Sequence, residues 1–339
     1  MTAHRRRTVE PRCIRQRCPA WAADVASLDD EVRIRSACFL AIAEMQRLHG
    51  DVLPVEVIRR GCVVDGERIA VFSLQKGIHT PRQLGAALAV TTAPPKRNSD
   101  APYDDHMAAD GTYRYHYRSA RTDSGRAHAD AERDNRAVRA ALQQGLDIIY
   151  WHGVVPGQYL PFFPVQVTDD DRTASVFSLN LTGLSAASLG GSGGFVAAEA
   201  PARGYRNAVV QARIHQARFR ATVLRAYANA CSVCQLRRSE LVDAAHIVTD
   251  ADGGEPVVQN GLALCRLHHA AFDRNIMGIT PDLVVHVRQD VLREVDGPML
   301  VHGLQGFHGA NLANLPRRRT ERPGSDFLER RWEAFRAAS

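Results

Sequence analysis

Two pairs of soft ligands, Cys231-Ser-Val-Cys234 and, thirty-four residues on, Cys265-Arg-Leu-His268, constrain this chain more than any other feature. Three thiolates and one imidazole complete a tetrahedral set of the kind that zinc takes in structural sites. All four positions are filled by protein, so a Zn2+ ion here staples the fold and leaves no place for water or substrate. The other cysteines, Cys13, Cys18, Cys38 and Cys62, have no partner histidines at metal spacing and read as structural or incidental. Seven cysteines is an odd number, and the start MTAHRRRTVEPRCIRQRC lacks the apolar run of a secretory signal. Reduced thiols and metal ligands are therefore expected rather than a disulfide framework, in a cytoplasmic protein. No apolar stretch is long enough to span a membrane.

Between and beside those ligands runs SELVDAAHIVTDADGGEPVVQNGLALCRLHHAAFDRN. It reads as a strand ending near His246, a polar glycine-containing loop, a second strand GLALC, and a helix starting around Arg266. His268 and His269 are neighbours on that helix, so their side chains diverge by about 100° and cannot serve one site. His268 can close the zinc set while His269 faces elsewhere, with Asp273 one turn on along the same face.

This segment resembles the HNH family of ββα-metal nucleases, in the subgroup braced by a four-ligand zinc, over roughly residues 205 to 280. The family's signature positions fall on His246, Asn260 and His269, fourteen and then nine residues apart. The resemblance implies a metal-dependent endonuclease. His246 would be its general base, and Asn260 the brace of the loop that aims it. His269 and Asp273 would be ligands of a catalytic divalent cation, Mg2+ or Mn2+. Residue chemistry agrees: phosphodiester hydrolysis needs a water deprotonated near neutral pH, which neutral histidine can do, and a cation to offset charge on the phosphate. A competing reading gives Asn260 only the Asn-Gly turn before Gly261. One position departs from the pattern: Ala245 stands where many HNH nucleases place a metal-binding Asp or His. Asp243 is the nearest upstream carboxylate, but a regular strand points it away from His246.

The expected architecture is α+β, with a β-rich N-terminal domain of SRA/PUA-like type joined to a C-terminal ββα-metal HNH domain. We assign residues 1–27 to a basic arm, 28–181 to a DNA or modified-base recognition domain, 182–204 to a Gly/Ser/Ala-rich flexible linker and 205–339 to the nuclease. A helix is predicted from Leu28 to Gly50, with Val32, Ala37, Phe39, Leu40, Ala43 and Leu48 inward. VEVIRR, RIAVFSL, ALAVTT, YRYHYR, DIIYWHG, FFPVQV and SVFSLNL read as strands, and a helix interrupts them and ends at Gly145. Past the nuclease core, DLVVHVR and GPMLVHG read as further strands and DFLERRWEAFRAA as a closing helix.

The charge of +6 suits a polyanionic partner, although a coding bias explains equally well why only Lys76 and Lys96 among 43 basic residues are lysine. Arg206, Arg213, Arg218, Arg220 and Arg225 surround the helix before Cys231, as a phosphate-binding surface or as a solvated basic face. Arg213 and Arg220 there, with Arg114 and Arg118 further upstream, are the candidate DNA contacts. The N-terminal region resembles that of bacterial HNH restriction endonucleases and, on scattered positions, SRA domains, which flip out modified cytosine. By that resemblance Tyr103, Tyr113, Tyr115, Tyr117, Tyr150 and Trp151 are base-stacking candidates, with His79 and Asp104 beside them, although YRYHYR also alternates like a half-buried strand. Three functions stay open: a restriction-type enzyme cutting DNA that bears modified cytosine, a mobile-element or repair nuclease, and a zinc module that binds DNA without cutting. A single HNH site cuts one strand, so a double-strand break takes a homodimer or two events.

Overall fold

The computed structural model describes residues 27–94, 112–120, 122–181 and 203–338. The basic arm up to residue 26, Tyr103, Asp104 and the linker up to residue 202 lie outside the described residues.

Helix α1 (Leu28–His49) starts where expected, because the Ser27 hydroxyl accepts the Asp30 amide and Asp29, Asp30 and Glu31 complement the positive end of the helix. Its buried face is not the expected one. Ile34, Cys38, Ile42 and Met45 point inward, whereas Val32, Leu40 and Leu48 are 51%, 73% and 51% exposed. A buried ion pair sets the rotation: Arg35 meets Glu31 at 2.8 Å and donates to the carbonyls of Ala86, Ala87 and Asp147, while Glu31 accepts from the amides of Gly85 and Ala86. Removing either partner would strand a buried charge, so this face stays inside.

Strand β1 (Leu53–Pro54) leads into a single turn, α2 (Val55–Ile58), where VEVIRR reads as a strand; Pro54 supplies extended backbone just before it, and the short apolar run then coils. β2 (Cys62–Val64) and β3 (Glu67–Ile69) form a hairpin through Asp65 and Gly66, both at positive φ, as a tight Asp-Gly turn requires. Next come β4 (Ile78–His79), β5 (Ala89–Thr91), β6 (Tyr113–His116), α3 (Gly125–Gln144), β7 (Ile148–Val155), β8 (Gln158–Asp171) and β9 (Val176–Asn180). They build a seven-stranded sheet in the order β4-β5-β7-β8-β9-β6, with β1 on β8 and only β5–β7 parallel. α3 ends at Gly145 in the left-handed conformation, as expected. Both faces of the central strands are covered: Ile149 and Trp151 pack toward α1, and Ile148 and Tyr150 pack toward α3. That is why DIIYWHG is continuously apolar rather than alternating.

Helix α4 (Arg203–Ala226) follows, and it belongs to two cores at once. Val210, Ala217 and Ala221 pack with the N-terminal sheet, and Phe219, Val223, Leu224 and Tyr227 pack with the C-terminal residues. The C-terminal part holds β10 (Val242–His246), β11 (Gly261–Cys265), α5 (Arg266–Asp273), β12 (Met277–Ile279), β13 (Val285–Val287), α6 (Gln289–Arg293), α7 (Pro298–Gly303) and α8 (Ser325–Ala337). GPMLVHG is helical rather than extended, since Gly297-Pro298 places proline at the first position of a helix, where its missing N–H costs nothing. α8 closes the core with Leu328 and Phe335 buried, and Trp332 stacks on Phe335. Among the described residues, no helix is long and apolar enough to cross a membrane.

Candidate metal centre and nuclease site

The ligand atoms of Cys231, Cys234, Cys265 and His268 all lie within 4.8 Å of one another. Local geometry explains the convergence. After α4, Cys231 begins a knuckle in which the Gln235 amide donates back to the Cys231 carbonyl, with Gln235 at positive φ. Cys265 is the last residue of β11 and the N-cap of α5, so His268 sits on the first turn with Nδ1 3.1 Å from the Cys265 sulfur and 3.5 Å from that of Cys231. Its other nitrogen, Nε2, donates to the Gly303 carbonyl at 2.9 Å, which turns Nδ1 toward the sulfurs as the nitrogen that a metal ion would take in exchange for its proton. Electrostatics favour a cation here. Burial opposes charge on His268, yet the Cys231 and Cys265 sulfurs outweigh it and hold the ring up at about 9. Cys231 is driven down by hydrogen bonds from Cys234 and Cys265, and Cys234 is driven up by the same crowding. The set can hold a metal ion, and three sulfurs with one imidazole suit soft tetrahedral coordination. Among the described residues it is the one group of three or more such side chains placed to do so.

The second constellation lies beyond the other end of the hairpin. β10 and β11 pair antiparallel with His246 opposite Gly261, so His246 stands where the strand stops and the loop begins. Its ring stacks on Phe219 of α4, centroids 3.8 Å apart and planes within 5°. The His246 Nε2 is buried without a hydrogen-bond partner and faces the Asp250 carboxylate at 3.6 Å. Burial pushes its pKa below the ordinary imidazole value; Asp250 and Asp273 pull it up, and His269 pushes it down. A neutral ring with a free nitrogen can accept a proton. His269 Nε2 lies 3.4 Å from Asp273 Oδ2, one helical turn apart as the spacing predicts. A cleft of about 270 Å3 reaches His246 and Asp250 past His215, Phe219, Gly254 and Pro256.

Asn260 is fully buried, and its side chain closes the loop that starts at His246. Oδ1 accepts the Val248 amide, and Nδ2 donates to the carbonyls of Val248 and Glu255, each at 2.9 Å. Its role thus exceeds an Asn-Gly turn. Asp243 turns to α4, where it accepts from Arg220 at 2.7 Å, and so has no part in the His246 cleft.

Several candidate DNA contacts are drawn into the protein. Arg220 is held by Asp243 and the Val242 carbonyl. Arg213 is 14% exposed, with its guanidinium over the Phe162 ring and 4.0 Å from Asp51. Arg118 pairs with the buried Asp134. Arg114 alone of the four is exposed. Tyr113, Tyr115, Tyr150 and Trp151 are at most 5% exposed and belong to the core; Trp151 donates to the Val71 carbonyl. Tyr117 is partly buried and donates to Asp170, and His79 bonds the Ala70 carbonyl. Sequence reasoning passed over Phe219 and Asp250. The signal for Asp250 was there, because it follows His246 by the same four residues that separate Asp273 from His269.

Residues 231–280 match the family described as HNH endonuclease. No curated protein matches the chain. Among solved structures, a modification-dependent TagI restriction endonuclease is 17% identical, over 77% of this chain and 86% of that one, with a TM-score of 0.30. The type IV phosphorothioation-dependent restriction endonuclease ScoMcrA is 14% identical, over 58% of this chain and 54% of that one, with a TM-score of 0.21. Both scores are too low to transfer a fold or a target. The strand–loop–strand–helix of β10, β11 and α5 lies within the matched segment, and that segment of the chain is similar to the HNH endonucleases.

Proposed function

We propose that the chain is a metal-dependent DNA endonuclease of restriction type, in which His246 is the general base. His246 carries this reading: a histidine whose pKa burial lowers, clamped flat on Phe219, with its unbonded Nε2 turned to Asp250 and its ring in the wall of a cleft. It takes the proton of an attacking water, and Asp250 steadies the charged ring that results. Asn260 keeps the intervening loop closed, so His246 and Asp250 keep their mutual position. His269 and Asp273 would hold a divalent cation, Mg2+ or Mn2+, whose charge would offset that gathering on the phosphate. The Cys231, Cys234, Cys265 and His268 set would hold Zn2+ as a staple.

The β-rich N-terminal unit is the reader in this proposal, and modified cytosine is its candidate target. A pocket of about 320 Å3 beside β5 and β6, lined in part by Phe72, Lys76, Tyr117, Arg118 and Tyr159, gives that unit a place to hold a small ligand. Plasmid DNA with and without cytosine methylation, incubated with the protein in Mg2+, Mn2+ or EDTA, tests the proposal. Metal-dependent cutting of the methylated plasmid alone is expected. Equal cutting of both would remove the modification reader. No cutting with any metal would leave a zinc module that binds DNA.

A further inference from the structure

Helix α4 carries four arginines whose side chains are described, and they divide into two pairs. Arg213 and Arg220 are engaged inside the protein, as above. Arg218 and Arg225 are exposed and make no ion pair among the described residues. With His215 and Thr222 they form the series 215, 218, 222, 225, whose steps of three, four and three residues place all four on one helical face.

That face is the floor of a groove of about 940 Å3 between the N-terminal unit and the HNH domain. Pro94 and Val154–Pro156 wall it on one side, and the loop Pro256–Gln259 on the other. His215, Phe219 and Pro256 line both this groove and the His246 cleft, so the two are continuous. Glu321, the acid in the lining, is 3.7 Å from Arg318 and partly neutralised by it. The groove therefore offers fixed positive charge leading directly to the candidate general base.

We propose that α4 is a phosphate rail: Arg218 and Arg225 bind the DNA backbone on one side of the scissile phosphate, in the groove between the two units. The proposal rests on the nuclease reading above. Seven residues of helix separate the arginines by about 10.5 Å, comparable to three nucleotides at about 3.4 Å of rise each. Guanidinium groups suit this task, since each grips a phosphate bidentately. Because α4 packs into both cores, a backbone held here is registered against the reader and the nuclease together.

Fluorescence anisotropy with a short labelled duplex, titrated at several salt concentrations, tests the rail. The parent is the full chain carrying His246→Ala, which keeps the DNA intact. Adding Arg218→Ala and Arg225→Ala should make log K against log salt shallower by about 1.8, from about 0.9 per lost phosphate contact. Arg218→Lys with Arg225→Lys should keep the slope, and Arg60→Ala should leave slope and affinity unchanged. The single alanine variants, each expected to lose about 0.9, serve if the double variant fails to fold. A parent that binds DNA with a slope indifferent to both arginines would overturn the rail and leave the nuclease reading standing. So would an equal loss in Arg60→Ala. A parent with no affinity for DNA would overturn both.

Discussion

Replacing Asn260 with alanine removes three hydrogen bonds from one fully buried side chain, those with the Val248 amide, the Val248 carbonyl and the Glu255 carbonyl. At about 1 kcal/mol net for each bond, the loop from Ile247 to Gln259 becomes easier to open by about 3 kcal/mol. Val248 is itself 6% exposed, so water does not replace the lost partners while the loop stays closed. Hydrogen exchange at the Val248 amide measures the effect directly: about 3 kcal/mol is a roughly 100-fold faster exchange. DNA nicking should fall in parallel, because the loosened loop carries Asp250 opposite His246. Gly254→Ala reaches the same brace from another side, since a Cβ there would stand 2.0 Å from the Val248 carbonyl oxygen and 2.7 Å from the Asn260 amide nitrogen. Exchange at Val248 that is unchanged in Asn260→Ala would refute the brace, whatever the nicking rate.

Atomic spectroscopy should find one zinc per chain, lost in Cys265→Ser. The metal-free HNH part should unfold, since structural zinc contributes about 10–16 kcal/mol against a typical domain stability of about 5–15 kcal/mol; an unaltered melting curve without zinc would contradict this. Nicking should show an acid limb below the ordinary imidazole value, because His246 must be neutral to act and burial lowers its pKa. Phe219→Ala uncovers the ring, raises that pKa and moves the limb to higher pH, whereas Asp250→Asn removes a charge that favours the imidazolium and moves it lower; a limb indifferent to both changes is inconsistent with His246 as the titrating group. Asp273→Asn should raise the Mn2+ concentration needed for half-maximal nicking, and an unshifted requirement would remove Asp273 from the cation site.

The nuclease segment was legible in the sequence because its determinants are local. The pairs Cys231/Cys234 and Cys265/His268 meet through one knuckle and one helix start, and the strand–loop–strand–helix order follows from apolar runs and glycine placement. What depended on distant partners was not legible. Val32 and Leu40 look as suitable for the core as Ile34 and Ile42, and the choice falls to Glu31 and Arg35, whose partners are residues 85–87 and 147. Which arginines of α4 stay free is likewise decided elsewhere: Arg220 is claimed by Asp243, and Arg213 by the Phe162 ring. Tyr150 and Trp151 point to opposite faces of a sheet covered on both sides, so neither is available to a base. VEVIRR and GPMLVHG are short apolar runs beside proline, for which strand and helical turn carry the same pattern.

Single-turnover nicking of supercoiled plasmid by the His246→Ala variant, set beside its zinc content and melting curve, tests the central claim most directly. The account predicts a rate lower by about 100- to 10,000-fold, the usual contribution of a positioned general base, with zinc and melting unchanged. A folded, zinc-loaded variant that nicks as fast as the unsubstituted chain would contradict it.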